Sequence, residues 1–111
     1  MKKPASLNRN KDFKRVYSRG RYAASSYLVT YALKNRLKFN RVGITTSKKI
    51  GNAVKRNRSR RIIRAAYMYL ADSLKSGYDI VFVARNETPH VKTSHIINNM
   101  NYHLRKLEVL R

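Results

Sequence analysis

The residues with the clearest chemical potential are the cations of residues 48–64. This segment reads KKIGNAVKRNRSRRIIR, with eight lysines and arginines in seventeen residues and no acid. At about 100° per residue, Arg56, Arg60 and Arg64 fall on one side of a helix. Guanidinium groups bind phosphate oxygens, so this side could hold a polyanion. Side chains suited to packing share the other side of the helix: Ser59, Ile62, Ile63, Ala66 and Leu70.

The residues that could catalyse hydrolysis are few and scattered. Two-metal cleavage of a phosphodiester needs several carboxylates around ions about 4 Å apart, whereas the five acids of this chain show no close spacing, and there is no cysteine. His95, Asn99 and His103 share a helical stripe that a metal could exploit, but we interpret it as polar helix surface. Asp12 and Asp79 are interpreted as a helix-start charge and a strand-edge residue. No Walker or GxGxxG spacing is present. The sequence therefore predicts no catalytic residue and no metal or nucleotide site.

Aromatic side chains lie among the cations. In proteins that bind single-stranded nucleic acid, bases stack on rings while cations follow the backbone. Phe13 and Tyr17 are four residues apart on one stripe of a predicted first helix, and Tyr27 and Tyr31 alternate onto one face of a predicted strand. For any one of these rings, ordinary packing in the core is the better interpretation, but together they predict a groove between helix and sheet. Its rim would carry the cations Arg9, Lys11, Lys14, Arg15 and Arg21.

The formal charge of +21 over 111 residues is distributed unevenly. Residues 1–71 hold twenty lysines and arginines against one acid, whereas residues 72–111 hold six against four. Such charge opposes compact folding by self-repulsion unless a polyanion offsets it. We predict that nucleic acid is this polyanion, with an anionic membrane as the rival. Without a signal segment after Met1 or a run of about 18 apolar residues, we expect a cytoplasmic protein.

The elements predicted to position these residues form a single RNA-binding domain over residues 1–111. Asn10 and Asn52 are the predicted caps of two helices. The three predicted helices cover about 10–20, 52–73 and 93–107. Strand patterns occupy 21–24, 27–33, 41–46 and 80–84, of which the last is an apolar run typical of a strand covered on both faces. The predicted fold class is α/β (α+β), a two-layer sandwich with the order αβββαβα.

The ordered motif around the cations resembles the protein subunit of bacterial ribonuclease P. The hallmark of that family is a lysine-rich loop, then Gly-Asn-x-Val-x-Arg-Asn-Arg-x-(Lys/Arg)-Arg and a further arginine. Residues 41–44 are similar to the family's third strand and residues 10–20 to its first helix, so the resemblance covers nearly the whole chain. The hallmark is matched here by Lys48, Lys49, Gly51, Asn52, Val54, Arg56, Asn57, Arg58, Arg60, Arg61 and Arg64.

The resemblance implies a fold and two sets of contacts. The fold would be like that of the second domain of ribosomal protein S5, with a left-handed crossover where pattern alone favours a right-handed one. A central cleft would bind the 5′ leader of precursor tRNA through Phe13, Tyr17 and Tyr31, with Arg9 and Lys14 beside them; many relatives have phenylalanine in place of Tyr17. The contacts to the catalytic RNA would be Lys48, Lys49, Asn52, Arg56, Asn57, Arg58, Arg60, Arg61 and Arg64.

The resemblance also implies a division of labour between RNA and protein. The RNA, which holds most of the magnesium, would hydrolyse precursor tRNA to leave the mature 5′ end, and the protein alone would be inactive. Its partners would be the catalytic RNA and precursor tRNA, without a membrane or a small-molecule substrate. Two alternatives stay open. One is a basic ribosomal protein or RNA chaperone, and the other is an autonomous nuclease that cuts without the catalytic RNA.

Overall fold

The computed structural model describes residues 4–111 and contains one mixed sheet with helices on both faces. The predicted element order is confirmed, with one short strand added before the first helix. The expectation about a signal segment falls partly on residues 1–3, outside the described residues. The helices are α1 (Asn10–Arg19), α2 (Ala53–Leu70) and α3 (Thr93–Lys106), and the strands are β1 (Ala5–Ser6), β2 (Arg21–Ala24), β3 (Leu28–Lys34), β4 (Arg41–Thr45) and β5 (Tyr78–Ala84).

The five strands lie in the order β1-β4-β5-β3-β2. β1, β4 and β5 are parallel neighbours, whereas β3 runs antiparallel to both β5 and β2. β5 is central, as predicted, and Ile80, Val81 and Phe82 are fully buried. Because α2 connects the parallel neighbours β4 and β5, it is the predicted crossover element; the hand of this crossover stays a prediction. No helix in residues 4–111 is long and apolar enough to cross a membrane.

The two faces of the sheet carry different helices. Ile80 and Phe82 face the larger core, which includes residues of α2 and α3. Val81 faces the opposite side, where it packs with Val16 of α1 and with Leu7. α2 and α3 thus form the main second layer, and the short α1 covers part of the other face. The uncovered part of that face is left available for ligands.

The helix boundaries show which local signals were reliable. Asn52 caps α2 as predicted, since its Oδ1 accepts a hydrogen bond of 3.0 Å from the Lys55 N–H. The predicted cap Asn10 is wrong: Arg9 occupies the capping position without a side-chain cap, and Asn10 is the first helical residue. Asp12 in the first turn supplies the negative charge that this helix end favours. Gly20 ends α1, where a Cβ would lie 2.5 Å from the Val16 carbonyl oxygen.

Candidate nucleic-acid interface

α2 separates its side chains into two faces, as predicted. The predicted packing residues are all buried, and Tyr67 joins them with its ring 5.8 Å from that of Phe82. Ser59 can be buried because its hydroxyl donates to the Lys55 carbonyl at 3.0 Å. The opposite side, which we call the arginine face, consists of Arg56, Arg58, Arg60, Arg61 and Arg64.

The arginine face carries charge that no acid neutralises. Arg56 and Arg60 are half-buried and the other three arginines are exposed. The ion pairs among residues 4–111 involve Arg9, Arg15 and Arg41, and none of them involves a cation of α2. Arg60 donates a hydrogen bond of 3.1 Å to Asn57 Oδ1, which holds these two polar side chains together. Such a face is suited to phosphate oxygens, which would supply the missing negative charge.

The segment before α2 presents two further cations. Lys48–Ile50 forms a short 3₁₀ turn in which Ile50 is buried and Lys48 and Lys49 are exposed. Gly51 follows with φ of +133°, a conformation that side chains rarely adopt. The turn therefore fixes both lysines beside the start of α2, where Asn52 and Asn57 are also exposed. The nine predicted RNA contacts thus lie along one segment of the chain.

The predicted leader-binding rings form a row on the other face of the sheet. The ring centroids of Phe13 and Tyr17 are 6.4 Å apart, and those of Tyr17 and Tyr31 are 5.0 Å apart. Tyr22 lies 5.6 Å from Tyr31 and extends this aromatic row of four residues. Phe13 and Tyr31 are half-buried, whereas Tyr17 and Tyr22 are 40% and 63% exposed. The sequence missed Tyr22, although the register that places it opposite Tyr31 in the β2–β3 pair would have found it.

Tyr27 does not lie on the same face as Tyr31, so this prediction is wrong. β3 begins only at Leu28, after a turn in which the Ser25 N–H donates to the Leu28 carbonyl at 2.9 Å. The alternation of a strand therefore does not extend to residue 27. The Tyr27 ring instead stacks on His95, at 6.4 Å, beside the core that α2 and α3 cover.

Two cavities beside the sheet are lined in part by cations, and the smaller one is also lined by a ring of the aromatic row. One, of about 620 Å³, has Val29 and Val83 of the sheet in its lining together with Lys49 and Arg85. The other, of about 210 Å³, is lined by Phe13 as well as by Arg60 and Arg64 of the arginine face. Gly43 permits this arrangement, since a Cβ there would lie 2.6 Å from the Phe13 ring. The ring and the arginines, predicted as separate sites, therefore border a common space.

The predicted rim of the groove is only partly confirmed. Arg9, Lys11, Lys14 and Arg21 are exposed, and Arg9 lies 3.3 Å from the Asp12 carboxylate. Arg15 is not a free rim cation. It binds Asp12 at 3.3 Å and Asp79 at 2.8 Å, on the side of α1 away from the aromatic row.

Asp79 is the centre of a buried ionic network, so its interpretation as a strand-edge residue is wrong. It is fully buried and accepts hydrogen bonds from Arg41 Nε at 2.8 Å, Arg41 Nη2 at 2.7 Å, Arg15 at 2.8 Å and Asn35 at 2.9 Å. Burial alone would raise the pKa of Asp79, but the hydrogen bonds from Arg41, Asn35 and Arg15 together hold it below its usual value. Asp12 is likewise buried rather than a simple surface charge. The network ties α1 to the sheet.

The stripe of His95, Asn99 and His103 is predicted to be polar helix surface, and for His103 this prediction is wrong. His103 is fully buried, with Nδ1 2.9 Å from Thr30 Oγ1 and with Nε2 unpartnered. Burial, and secondarily the charge of Lys106, lowers the pKa of His103. Within residues 4–111 there is no group of three histidines and carboxylates that could hold a metal ion. His103 is therefore a core residue, and we assign it no role in binding.

These features define a small basic α/β protein with an unneutralised arginine face and an exposed aromatic row. The model of the family Ribonuclease P matches residues 1–108, so the chain belongs to this family and acts in tRNA processing as part of a ribonucleoprotein. It is 50% identical over 80 residues to the ribonuclease P protein component of Clostridioides difficile, which covers 71% of this chain and 70% of that protein.

Solved structures agree with this assignment. The RNase P protein of Staphylococcus aureus is 32% identical and superposes with a TM-score of 0.86 over 98% of this chain and 100% of that chain. A mutant of the S. aureus protein with defective mRNA degradation activity has the same identity, 32%, and a TM-score of 0.85 over 95% of this chain and 89% of that chain. The predicted mixed fold is thereby confirmed. Membership of the family makes the chain an accessory subunit of an endoribonuclease whose partner is an RNA.

Proposed function

We propose that this chain binds the catalytic RNA of ribonuclease P through the arginine face and holds the 5′ leader of precursor tRNA along the aromatic row. In this way it would aid the magnesium-dependent removal of the leader. The observation that carries the proposal is the cavity that Phe13 shares with Arg60 and Arg64. An RNA segment on the arginine face and a second segment on the rings would meet there, so the protein could hold enzyme RNA and substrate RNA together.

The arginine face is suited to structured RNA rather than to reading bases. The deep major groove of A-form RNA is too narrow for side chains, so paired RNA is recognised through phosphates and shape. Five arginines that have no acidic partner within residues 4–111 would provide that recognition. Lys48, Lys49, Asn52 and Asn57 would extend the contact along the start of α2. Each phosphate contact releases condensed counterions, so binding should weaken steeply with salt.

The aromatic row is suited to unpaired bases. Stacking on a ring contributes about 1–3 kcal/mol per base and tolerates any sequence. Tyr17 and Tyr22 offer the most exposed rings of the row. Arg9, just before α1, and Lys14, on α1, are both exposed and would contact the backbone of the leader. Because mature tRNA has no leader, it would not use this surface.

The protein's own residues do not fit a magnesium site. Magnesium prefers carboxylates together with phosphate oxygens and water. The two buried carboxylates, Asp12 and Asp79, are paired with arginines, and the described residues hold no cluster of acids and histidines. We therefore assign the magnesium ions mainly to the RNA. The cations of the protein would reduce repulsion between two RNAs and so lower the magnesium concentration that the reaction needs.

Reconstitution with purified components tests this proposal. The full chain alone should not cleave precursor tRNA at any magnesium concentration. The cognate catalytic RNA alone should need high magnesium, and adding the protein should lower that requirement. If the protein leaves the magnesium dependence of the RNA unchanged and does not bind it, the proposal fails.

A second candidate function is an RNA-cleaving activity of the protein itself. The solved S. aureus mutant with defective mRNA degradation activity favours this alternative. The described residues bring no group of three carboxylates and histidines together for such chemistry, so we rank it second. Cleavage of an unstructured messenger RNA by the purified chain, free of catalytic RNA and retained after a second purification step, would support it.

A further inference from the structure

A second groove lies on the side of α1 away from the aromatic row. It has a volume of about 650 Å³, and the loop between β3 and β4 forms one wall. We call it the hairpin groove as a label only, since β5 separates these two strands in the sheet. Five of its lining residues are cations: Arg15, Arg19, Lys34, Arg36 and Arg41. Arg19, Lys34 and Arg36 are exposed and have no acidic partner among residues 4–111. These three cations are thus as little neutralised as those of the arginine face, whereas Arg15 and Arg41 are paired with Asp79.

The ionic network under the groove makes it a preformed site. Asp79 binds Arg41 through Nε and Nη2, so Nη1 of Arg41 has no hydrogen bond to this carboxylate. Asp79 also binds Arg15, on the opposite wall. Burial of the one carboxylate fixes both guanidinium groups without exposing a negative charge to an incoming anion. An anion would therefore meet cations that have already lost side-chain freedom, which favours binding.

The loop that carries Arg36 is also held in place. Asn35 donates from Nδ2 to Asp79 at 2.9 Å and to the Phe39 carbonyl at 3.2 Å, and its Oδ1 accepts from the Leu37 N–H at 2.8 Å. Arg36 follows with φ of +63°, a backbone conformation that the Asn35 contacts maintain. The same buried carboxylate thus organises the loop and the two arginines.

The lining of the hairpin groove indicates which part of an RNA it would hold. None of its lining residues is aromatic, so it offers no surface on which bases could stack. Cations without rings recognise the phosphates of paired RNA rather than unpaired bases. α1 separates the groove from the aromatic row, where the leader would lie. A large folded RNA that contacts the arginine face could reach the groove as well, since the longest dimension of the protein is 36 Å.

We propose that the hairpin groove is a second binding surface for the catalytic RNA, where it holds the phosphate backbone of a paired segment. This inference rests on the proposed function, in which that RNA already binds the arginine face. The protein would then contact its partner RNA from both faces of the sheet and position α1, with its aromatic row, between the two contacts.

Charge removal with a matched control tests the proposal. The double variant Lys34→Gln/Arg36→Gln changes two exposed residues whose side chains make no hydrogen bond or ion pair within residues 4–111, so the Asp79 network is left intact. The control, Arg105→Gln/Lys106→Gln, removes the same charge from exposed positions of α3. Binding of catalytic RNA is measured as the slope of the logarithm of the binding constant against the logarithm of the salt concentration. If two phosphate contacts are lost, this slope should flatten by about 1.5–2, and affinity near 0.1 M salt should fall by about 30- to 100-fold.

The control variant should change the slope by less than half of that amount. Thermal melts of all variants identify any loss of folding. Equal effects of the two double variants would overturn the proposal. So would a hairpin-groove variant that binds catalytic RNA normally but, in the holoenzyme, binds precursor tRNA more weakly, because the groove would then hold substrate. An Arg60→Ala/Arg64→Ala variant tests the arginine face separately from the hairpin groove. If that variant leaves the binding of catalytic RNA intact, the proposed function itself fails.

A tethered probe gives a second, independent measurement. The chain has no cysteine, so Leu37→Cys provides a unique attachment point for an iron chelate that cuts nearby RNA backbone. Leu37 lines the groove and is 40% exposed. We expect cuts in a paired segment of the catalytic RNA that differs from the segment cut from Val54→Cys on α2. Cuts confined to precursor tRNA, or none in the catalytic RNA, would refute the proposal.

Discussion

Asp79→Asn is the most informative single perturbation of this fold. The substitution keeps the shape of the side chain but removes the one negative charge that Arg41 and Arg15 share. Removing one partner of a buried ion pair costs about 3–5 kcal/mol because the other charge stays buried. The Arg41 and Arg15 side chains are 21% and 37% exposed, so each can recover part of its hydration. We therefore expect a loss of about 3 kcal/mol, at the lower end of that range.

Urea unfolding at constant ionic strength measures this loss. The midpoint should fall while the slope with denaturant stays constant, since the surface exposed on unfolding hardly changes. Asp72→Asn is the control, because Asp72 is exposed and forms no ion pair among the described residues. Asp72→Asn changes the net charge by the same amount as Asp79→Asn and should shift the free energy of unfolding by less than about 0.5 kcal/mol. In the double variant Asp79→Asn/Arg41→Gln, part of the loss should be recovered, because the charge of Arg41 is removed and Arg15 still has Asp12 as a partner.

The pH dependence of the free energy of unfolding tests whether the Asp79 network supports the fold. The pKa of Asp79 is lower in the folded state than in the unfolded state. The network therefore contributes its full stabilisation of the fold at pH values above the unfolded pKa of about 4. This contribution is lost as the pH falls through the folded pKa. The wild-type chain should therefore lose stability below about pH 4 more steeply than Asp79→Asn. Parallel curves for the two proteins, or a loss below about 1 kcal/mol at pH 7, would show that the network does not support the fold.

Three further predictions concern the aromatic row and the core. Tyr17→Ala should weaken holoenzyme binding of precursor tRNA with a long leader by about 5- to 150-fold without affecting mature tRNA; equal loss for both RNAs would place Tyr17 outside the leader path. Gly43→Ala should destabilise the chain by about 1–3 kcal/mol, because its new methyl group meets the Phe13 ring, and an unchanged melting temperature would contradict this. Burial lowers the pKa of His103, so stability should fall as the pH drops below about 6.5, where the unfolded chain takes up a proton first. His103→Gln should flatten that dependence in urea titrations, and a wild-type curve that is already flat would count against the buried contact with Thr30.

The sequence predicted those parts of the fold that local patterns control. Asn52 caps the start of α2. Gly77 forms the turn after the helix, where it adopts a φ of +92°. The apolar run of β5 indicated a central strand because both of its faces had to be covered. The two faces of α2 followed from helical spacing alone. Each of these features depends on residues that are close in sequence.

The features that the sequence did not predict depend on contacts between distant residues. Asp79 meets Arg41, which is 38 positions away, and Arg15, which is 64 positions away. His103 lies on a stripe with polar neighbours, but packing of α3 against the sheet buries it next to Thr30. Tyr22 joins the aromatic row only through the register of β2 with β3. Pattern analysis shows which residues share a face of one element, but it does not show which faces meet.

The uninterrupted positive charge of α2 has a consequence for the free protein. Arg56, Arg60 and Arg64 repeat at intervals of four residues, and α2 contains no acid. Each of these arginines therefore repels the next one along the helix. Added salt should therefore stabilise the unbound chain while it weakens the complex with RNA. The protein would be least stable without RNA under the conditions in which it binds RNA most tightly. Molecules made in excess of their partner would then unfold more often and be degraded sooner, so the amount of the protein in a cell would follow the supply of RNA.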